Sequence, residues 1–270
     1  MTSQFPSIIV NTGPSWQGFD KLTFLVVFGA SYCDVGYSHR DHPAPSADEP
    51  LGIKFPGVTF AEAGQPNWVG HLVREFAASN KSASPLVYNY AYGGSRVHDV
   101  RFQIQDVFVP HIGRRLDGAK WKAENTLFIT WVGINDAAWG SDHGHNLEKL
   151  FEAQQTLFDC GARNFMFVNV PPIDRAPANG KKPNYIAWNV ELQSASLNFA
   201  KLHPDATVLI YSAYDTFNAI LDDPVAYGFA PGDAAKAGGP MWVDQLHPSS
   251  KVHGFVARDM MTFLTGIEAS

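Results

Sequence analysis

Two short motifs near opposite ends of the chain contain the residue types of nucleophilic catalysis. Ser31 follows an apolar run in Phe28-Gly29-Ala30-Ser31, and Asp244-Gln245-Leu246-His247 lies near the C-terminus. A serine hydroxyl is a weak nucleophile unless a base takes its proton. An aspartate three residues before a histidine can hold the imidazole Nδ1–H and leave Nε2 free as that base. Ser31, His247 and Asp244 together would support acyl transfer.

Two other motifs offer hydrogen-bond donors for a developing oxyanion. Gly93-Gly94-Ser95 and Gly133-Ile134-Asn135-Asp136 each follow an apolar run. Paired glycines let the backbone approach a ligand and present an N–H, and an asparagine amide can donate to an oxyanion. Each motif alone is equally well explained as a tight turn. Their joint occurrence with Ser31 and His247 favours an active site.

The elements that must position these motifs alternate between short β-rich runs and longer helical segments. This alternation predicts an α/β fold, a three-layer α/β/α sandwich with a central five-stranded parallel sheet. In such sheets, ligands bind beyond the carboxyl ends of the strands, where Ser31 is expected. The predicted strands are Leu22–Phe28, Leu86–Tyr90, Leu127–Trp131, Asn164–Val170 and Thr207–Tyr211, and the predicted helices are Trp68–Ala78, Leu147–Cys160, Tyr185–Leu202, Tyr214–Leu221 and Val252–Leu264.

The organisation of the chain predicts one domain over residues 1–270. Asn146 is the expected N-cap of the helix that begins at Leu147, and Gly161 is expected to end that helix. Residues 37–66 and 222–243 are rich in Pro and Gly and break the alternation. Long loops inside a compact domain are usually functional or disordered, so both are predicted to be active-site loops.

Charge and composition exclude several classes of function. The chain has 20 Lys and Arg against 26 Asp and Glu, a net charge of −6, and no basic cluster, which argues against a nucleic-acid partner. No apolar run approaches the roughly 18 residues of a membrane-spanning helix. The G-x-G-x-x-G fingerprint of a nicotinamide-binding turn is missing, which makes that function remote. Two cysteines support neither a disulfide framework nor a thiolate metal site.

Neither a metal nor another cofactor is expected. His39 with His42, and His143 with His145, are spaced like metal ligands, but neither pair has a clear third ligand. The location in the cell stays open. Residues 1–19 contain no Lys or Arg and thus no recognisable secretion signal, which leaves a cytoplasmic protein or a secreted one whose signal has been removed.

Taken together, the four motifs resemble the SGNH (GDSL-type) family of serine esterases, named for a Ser, a Gly, an Asn and a His in that order. The matching residues are Ser31, Gly94, Asn135 and His247, with Asp244 beside the histidine. The resemblance implies a flavodoxin-like fold and an acyl-Ser31 intermediate. It also implies an oxyanion hole made by the N–H groups of Ser31 and Gly94 and the Asn135 amide.

Several motifs, including Pro66-Asn67-Trp68, are most similar to those of the fungal carbohydrate esterase family 16. That likeness implies a small-molecule ester substrate, an acetylated sugar or oligosaccharide. Ala30 departs from the family, which usually has Asp there to brace the nucleophile turn, so a slower enzyme is expected. Tyr37, Trp139 and Trp242 are candidates for stacking on a sugar, with core packing as the alternative.

Two alternatives to an acetylesterase stay open. A GDSL-type lipase or phospholipase would act on longer acyl esters. A catalytically silent binding module on the same fold is kept open by Ala30, although every residue that acyl transfer requires is present.

Overall fold

The central sheet of the molecule has six strands. The computed structural model describes residues 3–80, 84–114, 120–140 and 142–270. The sheet order is β1-β6-β5-β4-β2-β3. The strands are β1 (Ile8–Asn11), β2 (Phe24–Gly29), β3 (Leu86–Asn89), β4 (Thr126–Trp131), β5 (Asn164–Val168) and β6 (Thr207–Tyr211). The strands β2 to β6 pair in parallel and correspond to the five predicted ones.

Helices connect these strands and form the outer layers. They are α1 (Trp68–Asn80), α2 (Val97–Phe102), α3 (Ile134–Ala138), α4 (His143–Asp159), α5 (Lys182–Leu202), α6 (Ala213–Asp222) and α7 (Ser250–Thr265), and a π-helical segment, Gln103–Gly113, continues α2. Helix α7 packs against α1 and α6, whereas α4 packs against α2 and α5. The predicted three-layer α/β/α class is therefore correct.

The strand count differs from the prediction by one. Strand β1 pairs antiparallel with β6 at the edge of the sheet and has a register irregularity between Ile9 and Asn11. Only its pairing with β6 identifies this four-residue segment as a strand, because Ile8-Ile9-Val10 is too short to show a period.

The start of α4 also differs from the prediction. The helix begins at His143, and the Asp142 carboxylate caps it by accepting a hydrogen bond from the His145 N–H at 3.0 Å. Asn146 therefore lies inside the first turn and is not the cap. Gly161, with φ of 101°, follows the last turn as expected.

The core is formed where the apolar strands meet the helices. Every residue of β2, β4, β5 and β6 is buried, as expected for parallel strands covered on both faces. Residues 37–66 contain no helix or strand, and residues 223–243 contain the short 3₁₀ segment Pro231–Ala235 and an isolated β-bridge between Ala237 and Trp242. Within the described ranges, no helix is long and apolar enough to cross a membrane.

Candidate active site

The three strands that precede the predicted motifs are neighbours in the sheet. Strand β2 lies between β3 and β4, with Val27 opposite Asn89 and Gly29 opposite Trp131. The motifs that follow these strands therefore emerge at the same edge of the sheet. The structure thus brings Ser31, Gly94 and Asn135 to one end of the molecule, as the sequence predicted.

Ser31 lies in a tight turn at the end of β2. The N–H groups of Cys33 and Asp34 donate to the Ala30 carbonyl at 2.9 and 3.1 Å and close this turn. The Ser31 residue is 7% exposed. Its hydroxyl makes no hydrogen bond to any described residue, so no internal partner holds it away from a substrate.

Asp244 and His247 form the pair that their spacing predicted. The carboxylate Oδ2 lies 2.7 Å from the His247 Nδ1. The other oxygen accepts hydrogen bonds from the N–H groups of Leu246 and His247 at 2.7 and 2.8 Å. Partial burial opposes ionisation of Asp244, but the His247 N–H, its imidazole and the Leu246 N–H outweigh that effect and lower the pKa of the carboxyl. An ionised Asp244 thus orients the ring and leaves Nε2 unused by the pair.

Tyr32 joins the serine turn to the histidine turn. Its hydroxyl donates to the Leu246 carbonyl at 2.6 Å, and its ring centroid lies 6.0 Å from that of His247. Burial first, and the Asp244 charge second, raise the pKa of Tyr32 far above its ordinary value. The phenol therefore stays protonated and keeps its donor role. The sequence analysis did not single out this residue.

The loop after β3 presents Gly94 in a conformation that favours glycine. Gly94 has φ of +80°, and a Cβ there would meet no atom within 4 Å. The preceding Gly93 donates its N–H to the Asp34 carboxylate at 2.8 Å, and Gly36 donates to the other oxygen at 2.7 Å. Asp34 thus connects the serine turn to the glycine loop. Burial raises the pKa of Asp34 against the opposing effect of these two N–H donors.

Asn135 lies in the first turn of α3, on the other side of the serine turn. Its Nδ2 donates to the Ser95 carbonyl at 2.9 Å, which uses one of the two amide hydrogens and fixes the side chain against the glycine loop. Gly133 has φ of +122°, and the Trp188 indole leaves no room for a Cβ there. A glycine is therefore required where the chain turns from β4 into α3.

A buried glutamine, Gln103, holds the serine turn and the glycine loop together. The Gln103 Oε1 accepts from the Gly29 N–H at 3.0 Å, and its Nε2 donates to the Gly29 carbonyl and to the Ser95 Oγ at 2.9 and 3.1 Å. This side chain connects the end of β2 with the loop after β3. The residue carries no local sequence signal, because both partners are distant in the chain.

Phe60, from the irregular segment 37–66, covers the imidazole. Its ring centroid lies 4.8 Å from that of His247, with an angle of 30° between the planes. The same ring packs on Gly93 so closely that a Cβ there would clash. Phe60 thus contacts both the histidine and the glycine loop, and part of segment 37–66 lies at the site.

The three aromatic candidates for substrate stacking have different surroundings. Trp139 is 76% exposed, and the Arg96 guanidinium lies 5.7 Å from its ring centroid. Tyr37 is half-buried and lines a cleft with Tyr92. Trp242 is only 1% exposed and donates its indole N–H to the Ala234 carbonyl at 2.8 Å. Trp242 is therefore packed in the core, which was the alternative to substrate stacking, and neither face of its ring is open.

The histidine pairs considered as metal ligands form no larger group. Among the described residues, no three His, Cys, Asp or Glu side chains are arranged to hold a metal ion. His39 instead packs on His111, with ring centroids 4.9 Å apart.

Comparison with known proteins gives a consistent result. The family model of the GDSL-like lipase/acylhydrolases matches residues 25–260. An acetylesterase from Thermothelomyces thermophilus is 34% identical over 266 residues, covering 87% of this chain and 86% of that protein. An acetylesterase from Hypocrea jecorina is 19% identical, covering 92% and 90%.

Solved structures of similar fold include a variant of an acetyl xylan esterase from Geobacillus stearothermophilus. It has a TM-score of 0.60 at 14% identity and covers 93% of this chain and 96% of its own. A lipolytic G-D-S-L family protein from Veillonella parvula has a TM-score of 0.54 at 16% identity, covering 90% and 99%. These similarities support the fold of the chain.

Proposed function

The chain belongs to the GDSL-like lipase/acylhydrolase family, and we propose that it hydrolyses short-chain esters, chiefly acetyl esters of carbohydrates, through an acyl-Ser31 intermediate. The family assignment agrees with the resemblance carried by the four sequence motifs. The observation that carries the proposal is the 2.7 Å Asp244–His247 contact, in a turn that the Tyr32–Leu246 hydrogen bond ties to the residue after Ser31.

In the proposed first half-reaction, the Ser31 Oγ attacks the ester carbonyl carbon while the His247 Nε2 takes the hydroxyl proton. Asp244 keeps the Nδ1–H in place and stabilises the imidazolium that forms. The tetrahedral intermediate collapses when the alkoxy group leaves, and the imidazolium gives its proton to that oxygen. The products of this half-reaction are a free alcohol and acyl-Ser31.

In the second half-reaction, a water molecule attacks acyl-Ser31 and gives its proton to the His247 Nε2. Collapse of the second intermediate releases the acid and returns the proton to the Ser31 Oγ. The negative oxygen of both intermediates would be held by the N–H groups of Ser31 and Gly94 and by the second amide hydrogen of Asn135. This chemistry requires no metal or other cofactor.

The preference for acetyl esters rests on the relatives and on one contact. Both fungal relatives are acetylesterases. Phe60 covers the imidazole, and in the proposed reaction its ring would narrow the space for the acyl group. The assignment to carbohydrate esterase family 16 and the sugar alcohol are part of the same proposal.

The catalytic roles of a serine and a histidine have a parallel in a protein of similar fold. Catalytic mutants of the Geobacillus esterase carry alanine in place of a serine or of a histidine of that protein.

Hydrolysis of 4-nitrophenyl acetate by wild type and Ser31→Ala tests the chemistry. We expect the variant to lose activity about 10³-fold or more, since removal of a triad nucleophile leaves only the oxyanion hole and binding. Ser194→Ala, an exposed serine on α5, is the matched control. Labelling of the Ser31 peptide by a fluorophosphonate, read by mass spectrometry, provides a second readout. Equal activity of wild type and Ser31→Ala would support the silent binding module instead.

Acyl length separates the acetylesterase from the lipase. We expect kcat/KM on 4-nitrophenyl esters to be greatest for acetate and to fall for butanoate, octanoate and decanoate. A maximum at eight carbons or longer would favour the lipase.

A further inference from the structure

A cleft of about 520 Å³ lies at the β3 edge of the proposed active site. One wall comes from residues 37–41, which follow the serine turn, and the other from Asp99, Phe102 and Gln103. Its floor is formed by residues 89–92 and Ser95. Its volume lies within the range of sites that bind small ligands.

The floor of this cleft is continuous with the proposed oxyanion hole. Ser95 lines the cleft, and its carbonyl accepts the hydrogen bond from the Asn135 amide. Tyr92, also in the floor, donates its N–H to the Gly29 carbonyl at 3.2 Å. Gly93 and Gly94 alone separate these two floor residues in sequence. The glycine loop therefore joins the lining of the cleft to the proposed oxyanion hole.

Exposed aromatic side chains contribute to the lining of the cleft. Tyr92 is 74% exposed and Phe102 is 53% exposed, and both line it together with the half-buried Tyr37. Single exposed apolar side chains are ordinary on a protein surface, but several aromatic rings that line one cleft form a patch of the kind that marks a ligand-binding groove. Flat aromatic faces suit the C–H faces of sugar rings, while the tyrosine hydroxyls can bond to sugar hydroxyls.

The polar lining also suits a neutral ligand with many hydroxyl groups. Arg40 provides donors, and Asp41 and Asp99 provide acceptors. The Ser38 hydroxyl donates to Asp41 at 2.7 Å, and the Arg96 N–H donates to Asp99 at 2.8 Å, so both carboxylates are held in place. Burial first, and then the nearby His111 and Arg40, lower the pKa of His39 and favour the neutral form of this lining residue.

We propose that this cleft binds the sugar rings of the alcohol half of the ester, an inference that rests on the esterase activity proposed above. A phosphate ligand would be repelled, because the cleft holds two carboxylates, Asp41 and Asp99, and only one arginine, Arg40. A long acyl chain would leave the charged groups of Arg40, Asp41 and Asp99 desolvated without partners. A glycan uses both the aromatic faces and the fixed polar groups.

The test compares two substrates in Tyr92→Ala and Phe102→Ala. The quantity measured is kcat/KM on an acetylated xylotetraose divided by kcat/KM on 4-nitrophenyl acetate. We expect this ratio to fall about tenfold in each variant, since one stacking contact contributes about that factor. The fall should come mainly from KM on the oligosaccharide. Leu202→Ala is the matched control, because Leu202 is likewise the exposed last residue of a helix, outside the cleft.

A second readout does not depend on turnover. Unmodified xylotetraose, titrated calorimetrically into the Ser31→Ala protein, should bind with a Kd that rises in the Ser31→Ala/Tyr92→Ala double variant. A ratio equal to wild type in both cleft variants, with no change in this Kd, would overturn the inference while leaving the esterase proposal intact.

Two other outcomes are distinct from these. If the cleft variants lower hydrolysis of 4-nitrophenyl octanoate but not of the sugar ester, the cleft holds the acyl chain and the inference is wrong. If wild type hydrolyses neither substrate in a Ser31-dependent way, the proposed function itself fails, and the inference fails with it.

Discussion

The Tyr32 hydroxyl donates a 2.6 Å hydrogen bond to the Leu246 carbonyl, which ties the residue after Ser31 to the residue before His247. The two partners are 214 residues apart in sequence. Since Asp244 also holds the Leu246 N–H, both polar backbone groups of Leu246 are engaged. The position of the imidazole relative to the serine therefore depends on a phenol that takes no part in the proposed proton transfers.

We predict that Tyr32→Phe lowers kcat on 4-nitrophenyl acetate about tenfold. The substitution leaves the Leu246 carbonyl without its partner, a loss of about 1–3 kcal/mol, and loosens the histidine turn. Steady-state kinetics and thermal unfolding should be measured together. Tyr214→Phe, at a buried tyrosine on α6, controls for the loss of a hydroxyl. A fall in Tm without a change in kcat would show that Tyr32 only stabilises the fold.

We expect Asn135→Ala to lower kcat by about 10² to 10³ with little change in KM, because an oxyanion donor acts mainly in the transition state. Asn184→Ala is the matched control, since its Nδ2 donates to the Ala137 carbonyl at 2.9 Å at the other end of α3. The measurement is a full Michaelis–Menten series. A raised KM with unchanged kcat would contradict the assigned role.

For Gly94→Ala we expect a loss of both activity and stability. The added Cβ meets no atom within 4 Å, so the cost of about 1–2 kcal/mol comes from the positive φ alone. Gly238→Ala is the control, because Gly238 has φ of +67° and equally open surroundings. Urea unfolding should show similar losses for both variants, whereas only Gly94→Ala should lose activity. Equal activities would remove Gly94 from the oxyanion hole.

The burial of His253 should make the stability of the folded protein depend on pH. This residue is fully buried in α7, its ring is in edge contact with Tyr32, and burial first, with smaller effects from His71 and His247, lowers its pKa to about 3. The unfolded chain binds the proton near pH 6.5 and the folded chain does not, so this group destabilises the fold as the pH falls from about 6.5 to 3.

Between pH 7.5 and 4.5, His253 should lower the free energy of unfolding by on the order of 2–3 kcal/mol. Urea unfolding of wild type and His253→Phe at both pH values isolates this contribution, because other groups titrate in both proteins. We expect the free energy of unfolding to fall less in His253→Phe than in wild type when the pH is lowered from 7.5 to 4.5. If the difference in free energy of unfolding did not change with pH, folded and unfolded protein would bind the His253 proton equally well, and the pKa of His253 would not be lowered.

Local sequence was sufficient for features that arise within one segment. Short apolar runs bounded by turn residues predicted all five parallel strands. The three-residue spacing alone predicted the contact between Asp244 and His247. The alternation of elements also placed the proposed nucleophile and oxyanion donors at one sheet edge, since the carboxyl ends of neighbouring parallel strands meet there.

Features that depend on contacts between distant segments required the folded chain. Strand β1 exists through pairing with β6, and the roles of Tyr32, Phe60 and Gln103 depend on partners far away in sequence. The aromatic candidates are a further example, because Trp242 is buried whereas Trp139 is exposed. Burial is set by whichever segments pack over a side chain, and residue type and local spacing do not contain that information.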